Sequence, residues 1–156
     1  MSYHIYTTRG LVLSERPVRE ADRIYNILTR DFGLVRATAL GVRKINSKLR
    51  GSIEPVSLSN VSLVRGKEHW RLTSAEFIRS FKQSRPLSLL ENLVAGEAPH
   101  PELFDMAEKY LESDEITFVS QILFHLGYLK EEDLKLGKKE LIKGINDGLE
   151  QSHLTN

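Results

Sequence analysis

The chain has 156 residues, with 22 Lys+Arg against 21 Asp+Glu, 40% hydrophobic residues and no cysteine. That length suits one ordinary domain or two small ones. The lack of cysteine excludes disulfides, thiolate zinc sites, iron–sulfur clusters and cysteine nucleophiles, and the chain shows neither a signal-peptide layout nor an apolar run of about 18 residues, so a soluble cytoplasmic protein is expected.

The net charge of +1 hides a split. Residues 1–85 hold 12 Arg and 4 Lys against 7 acids, whereas residues 86–156 hold 6 Lys and no Arg against 14 acids. The basic half is expected to bind anions. Its preference for Arg points the same way, because guanidinium groups pair bidentately with phosphate and stack on bases, while Lys serves equally well as solubilising charge.

From Tyr3 to Phe81 the chain reads as short strands between turns. Tyr3–Leu13 places Ile5, Thr7, Leu11 and Leu13 on one side of an alternation, and Arg16-Pro17 is expected to end it. Arg23–Arg30 forms the second strand, turned by Asp31-Phe32-Gly33 into a third, Leu34–Val42. The fourth, Pro55–Val64, has apolar positions at Val56 and Leu58 and then at Val61 and Leu63. That skipped residue predicts a bulge bending the strand around a barrel. Arg65-Gly66-Lys67-Glu68 makes a hairpin turn into His69–Thr73, with Trp70 and Leu72 on one face. So short a set of strands predicts a closed or nearly closed barrel, since an open sheet would expose two edges.

After Arg85 the period becomes helical. Ser88-Leu89-Leu90-Glu91 has the pattern of a capping box, and Pro101 suits a first helical position. Leu103, Phe104, Ala107, Tyr110 and Leu111 form one apolar stripe. Ile116, Val119, Ile122, Leu123 and Leu126 form a second, ended by Gly127. Leu141, Ile142, Ile145 and Leu149 form a third, which Gly144 and Gly148 weaken by about 1 kcal/mol each relative to Ala. The residues after Glu150 read as a polar tail. The expected fold class is α+β, with a five-stranded barrel in residues 1–81 and a helical domain in residues 82–156.

An enzyme has no positive sign in these residues. Nucleotide-binding glycine motifs, zinc-protease spacing and the nucleophile elbow are all absent. His4, His69, His100, His125 and His153 are scattered without metal-ligand spacing, and His125, between Phe124 and Leu126, reads as structural. The acidic clusters at Glu112–Glu115 and Glu131–Asp133 fall at helix starts, where they complement the dipole. No cofactor or metal is implied.

The basic residues carry more information. Arg43, Lys44, Lys48 and Arg50 crowd one loop directly after a strand, with Asn46 and Ser47 able to donate further hydrogen bonds to phosphate. Arg30 and Arg36 flank the preceding turn, and Arg65, Lys67 and Arg71 surround the later hairpin. On one barrel, several of these charges would follow a single backbone groove. Trp70 beside them is the residue to consider for stacking a base, although its alternation with inward neighbours favours burial.

Thr8-Arg9-Gly10-Leu11-Val12-Leu13, Glu20-Ala21-Asp22, Leu28-Thr29-Arg30-Asp31-Phe32-Gly33 and Ala39-Leu40-Gly41-Val42-Arg43-Lys44, then Ser47 and Pro55, follow in an order that resembles the RecO family of bacterial DNA repair and recombination mediators. The resemblance continues more loosely through Pro101-Glu102-Leu103-Phe104 and Leu123-Phe124-His125-Leu126-Gly127-Tyr128-Leu129. It implies an N-terminal OB-fold barrel and a helical domain. It further implies a non-catalytic, nucleoid-associated protein that binds single- and double-stranded DNA and anneals complementary strands. With RecR, such a protein assists loading of RecA onto DNA coated by single-strand binding protein. On this view Arg43, Lys44, Lys48 and Arg50 bind phosphate, and Arg9, Arg30, Arg36, Arg65, Lys67 and Arg71 extend the track.

Two departures follow. Many family members carry a four-cysteine zinc module after the Leu-Gly-Tyr helix; this chain has no cysteine, so metal binding does not carry over and the resemblance is to a shortened member. The family's helical domain also contacts the acidic tail of single-strand binding protein, whereas here that half is acidic, leaving Lys130, Lys135, Lys138, Lys139 and Lys143 as a local basic patch. A protein-binding adaptor built on the same barrel is the main alternative, and an RNA-binding barrel a further one, because one fold serves many ligands.

Overall fold

Tyr6, Thr8, Gly10 and Val12 alternate with Ile5, Thr7, Arg9 and Leu11, and this period of two makes the first strand, β1 (Ile5–Val18). In the computed structural model, which describes residues 4–81, 84–94 and 96–151, the former set faces the interior. Of the expected stripe of Ile5, Thr7, Leu11 and Leu13, the first three share a side, the outer one, and Leu13 falls at a register shift. β2 (Asp22–Thr29), β3 (Gly33–Ala39), β4 (Ser57–Val64) and β5 (Trp70–Ser80) follow. They close in the order β1-β2-β3-β5-β4, with β4 pairing back onto β1 and β3 meeting β5 in parallel. This is the expected OB-type barrel.

Pro17 does not end β1. By that point β4 has left, its pairing stopping at Val12↔Ser57, so Pro17 sits in the two-stranded extension with β2 where the missing N–H breaks no ladder to β4. The bulge expected in β4 is also relocated. β4 runs against β1 from Val64 to Ser57 without a shift, and Leu58 simply faces outward while Val61 and Leu63 face inward. The register shifts lie opposite it in β5, between the pairs at Leu58/Ser59 and at Ser62/Leu63, and in β1 at Leu13. β5 is thus the bent strand, and at Trp70–Ser80 it is longer than the expected His69–Thr73.

The interior is filled by Val12, Tyr25, Ile27, Val35, Val61 and Leu63 together with Trp70 and Leu72. Thr29 shapes the β2–β3 turn, its hydroxyl donating to the Gly33 carbonyl at 2.8 Å and accepting the Phe32 amide at 3.0 Å. Outside, α1 (Arg85–Leu93) buries Leu87 and Leu90 and packs on β1. Its Glu91 accepts hydrogen bonds from Ser14 at 2.7 Å and Asn26 at 2.6 Å. The expected capping box is therefore not one: the helix begins at Arg85, Ser88 lies inside it and bonds the Ser84 carbonyl, and Glu91 is turned to the sheet.

Because α1 belongs with the barrel, the chain divides into compact units at Met1–Pro101 and Glu102–Asn156, later than the expected boundary after residue 81. The second unit contains α2 (Pro101–Tyr110) from its second residue on, α3 (Glu115–His125), a short 3-10 helix (Glu131–Lys135) and α4 (Lys138–Gln151). Asp114 caps α3 by accepting the Thr117 amide at 2.9 Å. The α4 stripe is corrected too. Ile142 is 40% exposed, while Gly148 and Gly144 face inward, where a Cβ would stand 3.4 Å from Tyr128 and from Leu129 respectively. These glycines therefore let α4 approach its neighbours closely. The strand start at Tyr3, His153, the polar tail beyond Gln151 and the Lys138 side chain lie outside the described residues.

Candidate nucleic-acid interface

The loop from residue 40 to 56 joins β3 to β4, and Arg43, Lys44, Lys48 and Arg50 are all exposed on it. It is built as successive turns, with Lys44 N donating to Gly41 O at 3.0 Å, Ser47 N to Lys44 O at 3.1 Å and Ser52 N to Leu49 O at 2.9 Å. Val42 and Ile53 anchor its two ends in the barrel interior. Apolar anchors inside and cations outside leave the charged side chains little choice but to face water.

The same loop is tied to the β1–β2 turn. Arg43 N donates to the Ala21 carbonyl at 2.9 Å, the Arg43 guanidinium reaches the Arg19 carbonyl at 3.4 Å, and Gly41 N donates to the Asp22 carboxylate at 2.7 Å. Arg19 is thereby added to the group; its side chain is 67% exposed and pairs with Asp22 at 2.8 Å. Sequence reasoning missed Arg19, whose place beside Arg43 depends on the β1–β2 register rather than on local spacing.

A second group lies on the β3–β5 seam. Thr38 pairs with Arg71, and Arg36, two residues earlier on β3, is exposed on the same side. Diagonal neighbours on paired strands stand about 7–8 Å apart, within reach of one phosphodiester step. Arg65 and Lys67 occupy the turn leading into β5. Leu40 (51% exposed) and Ile45 (91% exposed) are surface apolar side chains among these cations.

Arg9 and Arg30 stand apart. Arg30 N donates to the Arg9 carbonyl at 3.0 Å, at the end of the β1–β2 pair remote from Arg19, roughly 30 Å along a strand rising about 3.3 Å per residue. The Arg30 guanidinium is 3.5 Å from Asp31, which also accepts the buried Thr8 hydroxyl at 2.8 Å.

Trp70 is corrected as a base-stacking residue. It is 3% exposed, packed against Tyr6 and Phe32, and its outer face carries the Arg65 guanidinium at 4.6 Å from the ring centroid. No face is left for a base. Glu97, which sequence reasoning also missed, accepts the Trp70 indole N–H at 2.9 Å and pairs with Arg65 at 3.2 Å.

Among the described residues no group of three or more His, Cys, Asp or Glu could hold a metal ion, and no helix is long and apolar enough to cross a membrane. His125 is held by Gln121 O at 2.9 Å and by the Phe124 ring.

The family model described as recombination protein O N terminal matches residues 1–81, more than half of the chain. The chain belongs to the RecO family. Curated relatives named DNA repair protein RecO include one from Dehalococcoides mccartyi, 36% identical over 120 residues, covering 70% of this chain and 47% of the relative. Another, from Gloeothece citriformis, is 32% identical over 130 residues, 76% of this chain and 46% of the relative. The RecO of Gloeobacter violaceus is 41% identical over 81 residues, 52% of this chain and 31% of the relative. The chain spans about half or less of the length of these relatives.

Proposed function

We propose that this RecO-family chain is a DNA-binding element of recombinational repair, gripping single-stranded DNA by its phosphates and promoting annealing of complementary strands. The observation that carries the reading is the cationic collar in which Arg43 of the 40–56 loop is tied to the β1–β2 turn, its amide on Ala21 O and its guanidinium on Arg19 O, with Lys44 next to it on the loop. Lys48 and Arg50 extend it along the loop, and Arg36, Arg65, Lys67 and Arg71 across the β3–β5 seam; Arg9 and Arg30 serve a separate contact. Ile45 and Leu40 supply apolar contacts to unstacked bases, a role that buried Trp70 does not fill.

Annealing by such a surface needs no nucleophile and no cofactor. Cations that neutralise two phosphate backbones lower the barrier to their meeting, and releasing counterions supplies much of the affinity. Mobile contacts to phosphate, with no base-specific hydrogen bonds, let the strands slide into register. Binding to double-stranded DNA, and cooperation with RecR, single-strand binding protein and RecA in the cytoplasm near the nucleoid, belong to the same proposal and rest on the family. For single-strand binding protein, the docking patch is Lys130, Lys135, Lys139 and Lys143.

The test is annealing of two complementary oligonucleotides, one carrying a donor and the other an acceptor dye. The chain is expected to accelerate the rise in energy transfer at low salt, and Ala at Arg43, Lys44, Lys48 and Arg50 together to abolish the acceleration. An unchanged rate with the wild-type chain would contradict the annealing role.

A further inference from the structure

Glu97 lies 27 residues beyond Trp70 in the sequence, yet its carboxylate touches it. The turn that carries it is pinned to β3. Leu34 N donates to the Gly96 carbonyl at 3.0 Å, and Gly33 approaches so closely that a Cβ there would fall 2.5 Å from the Ala98 carbonyl oxygen. From this fixed backbone one carboxylate oxygen accepts the Trp70 indole N–H at 2.9 Å and the other the Arg65 guanidinium at 3.2 Å.

Trp70 is held in place without Glu97, and Arg65 is stacked on its ring. The Trp70 ring packs against Tyr6 and Phe32, which also touch each other, and the Arg65 guanidinium lies 4.6 Å over it. Two N–H donors converging on the two oxygens of one anion suit a phosphate as well as a carboxylate. Beside them is a pocket of about 150 Å³ lined by Val64, Arg65, Gly66 and Arg71, which adds a second guanidinium. Arg65 is 62% and Glu97 48% exposed, so solvent screens their attraction and a stronger anion can exchange for the carboxylate.

We infer that Arg65, the Trp70 indole N–H and the adjoining Arg71 form a phosphate subsite for the nucleic-acid backbone, with Glu97 as its resident competitor. The inference rests on the nucleic-acid reading of the barrel surface and deepens it. Displacement needs only rotation of the Glu97 side chain, because its backbone stays bound to β3. Each phosphate that enters must expel an internal anion, which weakens the grip at this point and keeps the strand exchangeable.

The experiment uses the full chain, a labelled single-stranded oligonucleotide and anisotropy titrations across salt for wild type, Glu97→Gln, Arg65→Ala and the double variant. Glu97→Gln is expected to bind about two- to fivefold more tightly at low salt. Its slope of log K against log salt should steepen by at most about 0.7, as one partly occupied phosphate contact becomes fully occupied. On the Arg65→Ala background the gain should vanish. An equal gain without Arg65, or no gain in a Glu97→Gln protein that unfolds like wild type, would overturn the inference. Should Glu97→Gln fold poorly, Glu97→Asp shortens the side chain and is expected to move affinity in the same direction; unchanged affinity would count against the competitor role. Binding by none of the forms would instead sink the nucleic-acid reading itself.

The chain's one tryptophan, Trp70, reports the contact independently. Unlabelled oligonucleotide is expected to shift its emission, whereas inorganic phosphate alone at constant ionic strength is expected to leave it unchanged. A saturable shift with phosphate alone would make this a free-phosphate site and overturn the assignment to a nucleic-acid backbone.

Discussion

The Asp22 carboxylate accepts the Gly41 amide at 2.7 Å, and this bond fixes the point from which the basic 40–56 loop leaves the barrel. The Gly41 amide foremost, with the Arg19 guanidinium and the charge of Lys44, holds the Asp22 carboxyl below its ordinary 3.8 against the opposing effect of burial. A carboxyl with a lowered folded-state pKa stabilises the fold above its unfolded value, and that contribution is lost as pH falls through the folded value. Asp22→Asn is therefore expected to unfold at a lower Tm than wild type at pH 7, with the deficit shrinking once pH drops below about 3.8. A deficit of the same size at both pH values, in thermal melts followed by circular dichroism, would contradict the role given to the charge.

Gly33 is expected to tolerate no side chain. Its φ is +70°, and a Cβ would collide with the Ala98 carbonyl oxygen and the Glu97 carbonyl carbon, both backbone atoms. The left-handed conformation alone costs a non-glycine residue about 1–3 kcal/mol. Gly33→Ala should lose at least that much in urea denaturation, and a change within about 0.5 kcal/mol would show that the 96–98 turn is not pinned there.

Glu91 fastens α1 to the sheet through Ser14 and Asn26. Replacing it by Ala leaves two partly buried donors without this acceptor, a loss of about 1–3 kcal/mol. Glu91→Gln, which keeps one acceptor oxygen, should recover part of it. Equal stability of the Ala variant and wild type in the same denaturation assay would mean that apolar burial of Leu87 and Leu90 alone seats the helix.

Much of the barrel could be read in the sequence, because alternation and turn residues are local. Asp31-Phe32-Gly33 marked the β2–β3 turn, and strands 2 to 4 fall within a few residues of their expected places. What the period could not say was which face of a strand points inward. Leu11 and Leu58 are 0% exposed although they do not belong to the cluster that fills the barrel interior; a pattern of apolar residues on both faces then resembles a bulge. Glycine in α4 misled for a related reason, since helix propensity is a property of one residue and close packing is a property of two elements.

The site was legible in composition and only partly in geometry. Exposed cations at Arg43–Arg50 follow from a polar loop between two anchored ends. Arg19 and Glu97 were hidden because strand register and the turn after α1 bring them to partners 24 to 32 residues away. Trp70 sits among cations in the sequence as it does in space, yet the ring fills the barrel while Arg65 covers it.

The central claim is that the 40–56 loop binds nucleic-acid phosphate. Anisotropy of a labelled single-stranded oligonucleotide, titrated at several salt concentrations with wild type and with Arg43, Lys44, Lys48 and Arg50 changed to Ala, tests it most directly. For single strands log K falls with log salt by about 0.7 per phosphate neutralised, so removing up to four contacts should weaken binding and make the slope shallower by as much as about 2.8. Identical slopes and affinities for the two proteins, or no measurable binding by wild type even at low salt, would contradict the claim and leave the barrel as a surface for protein partners.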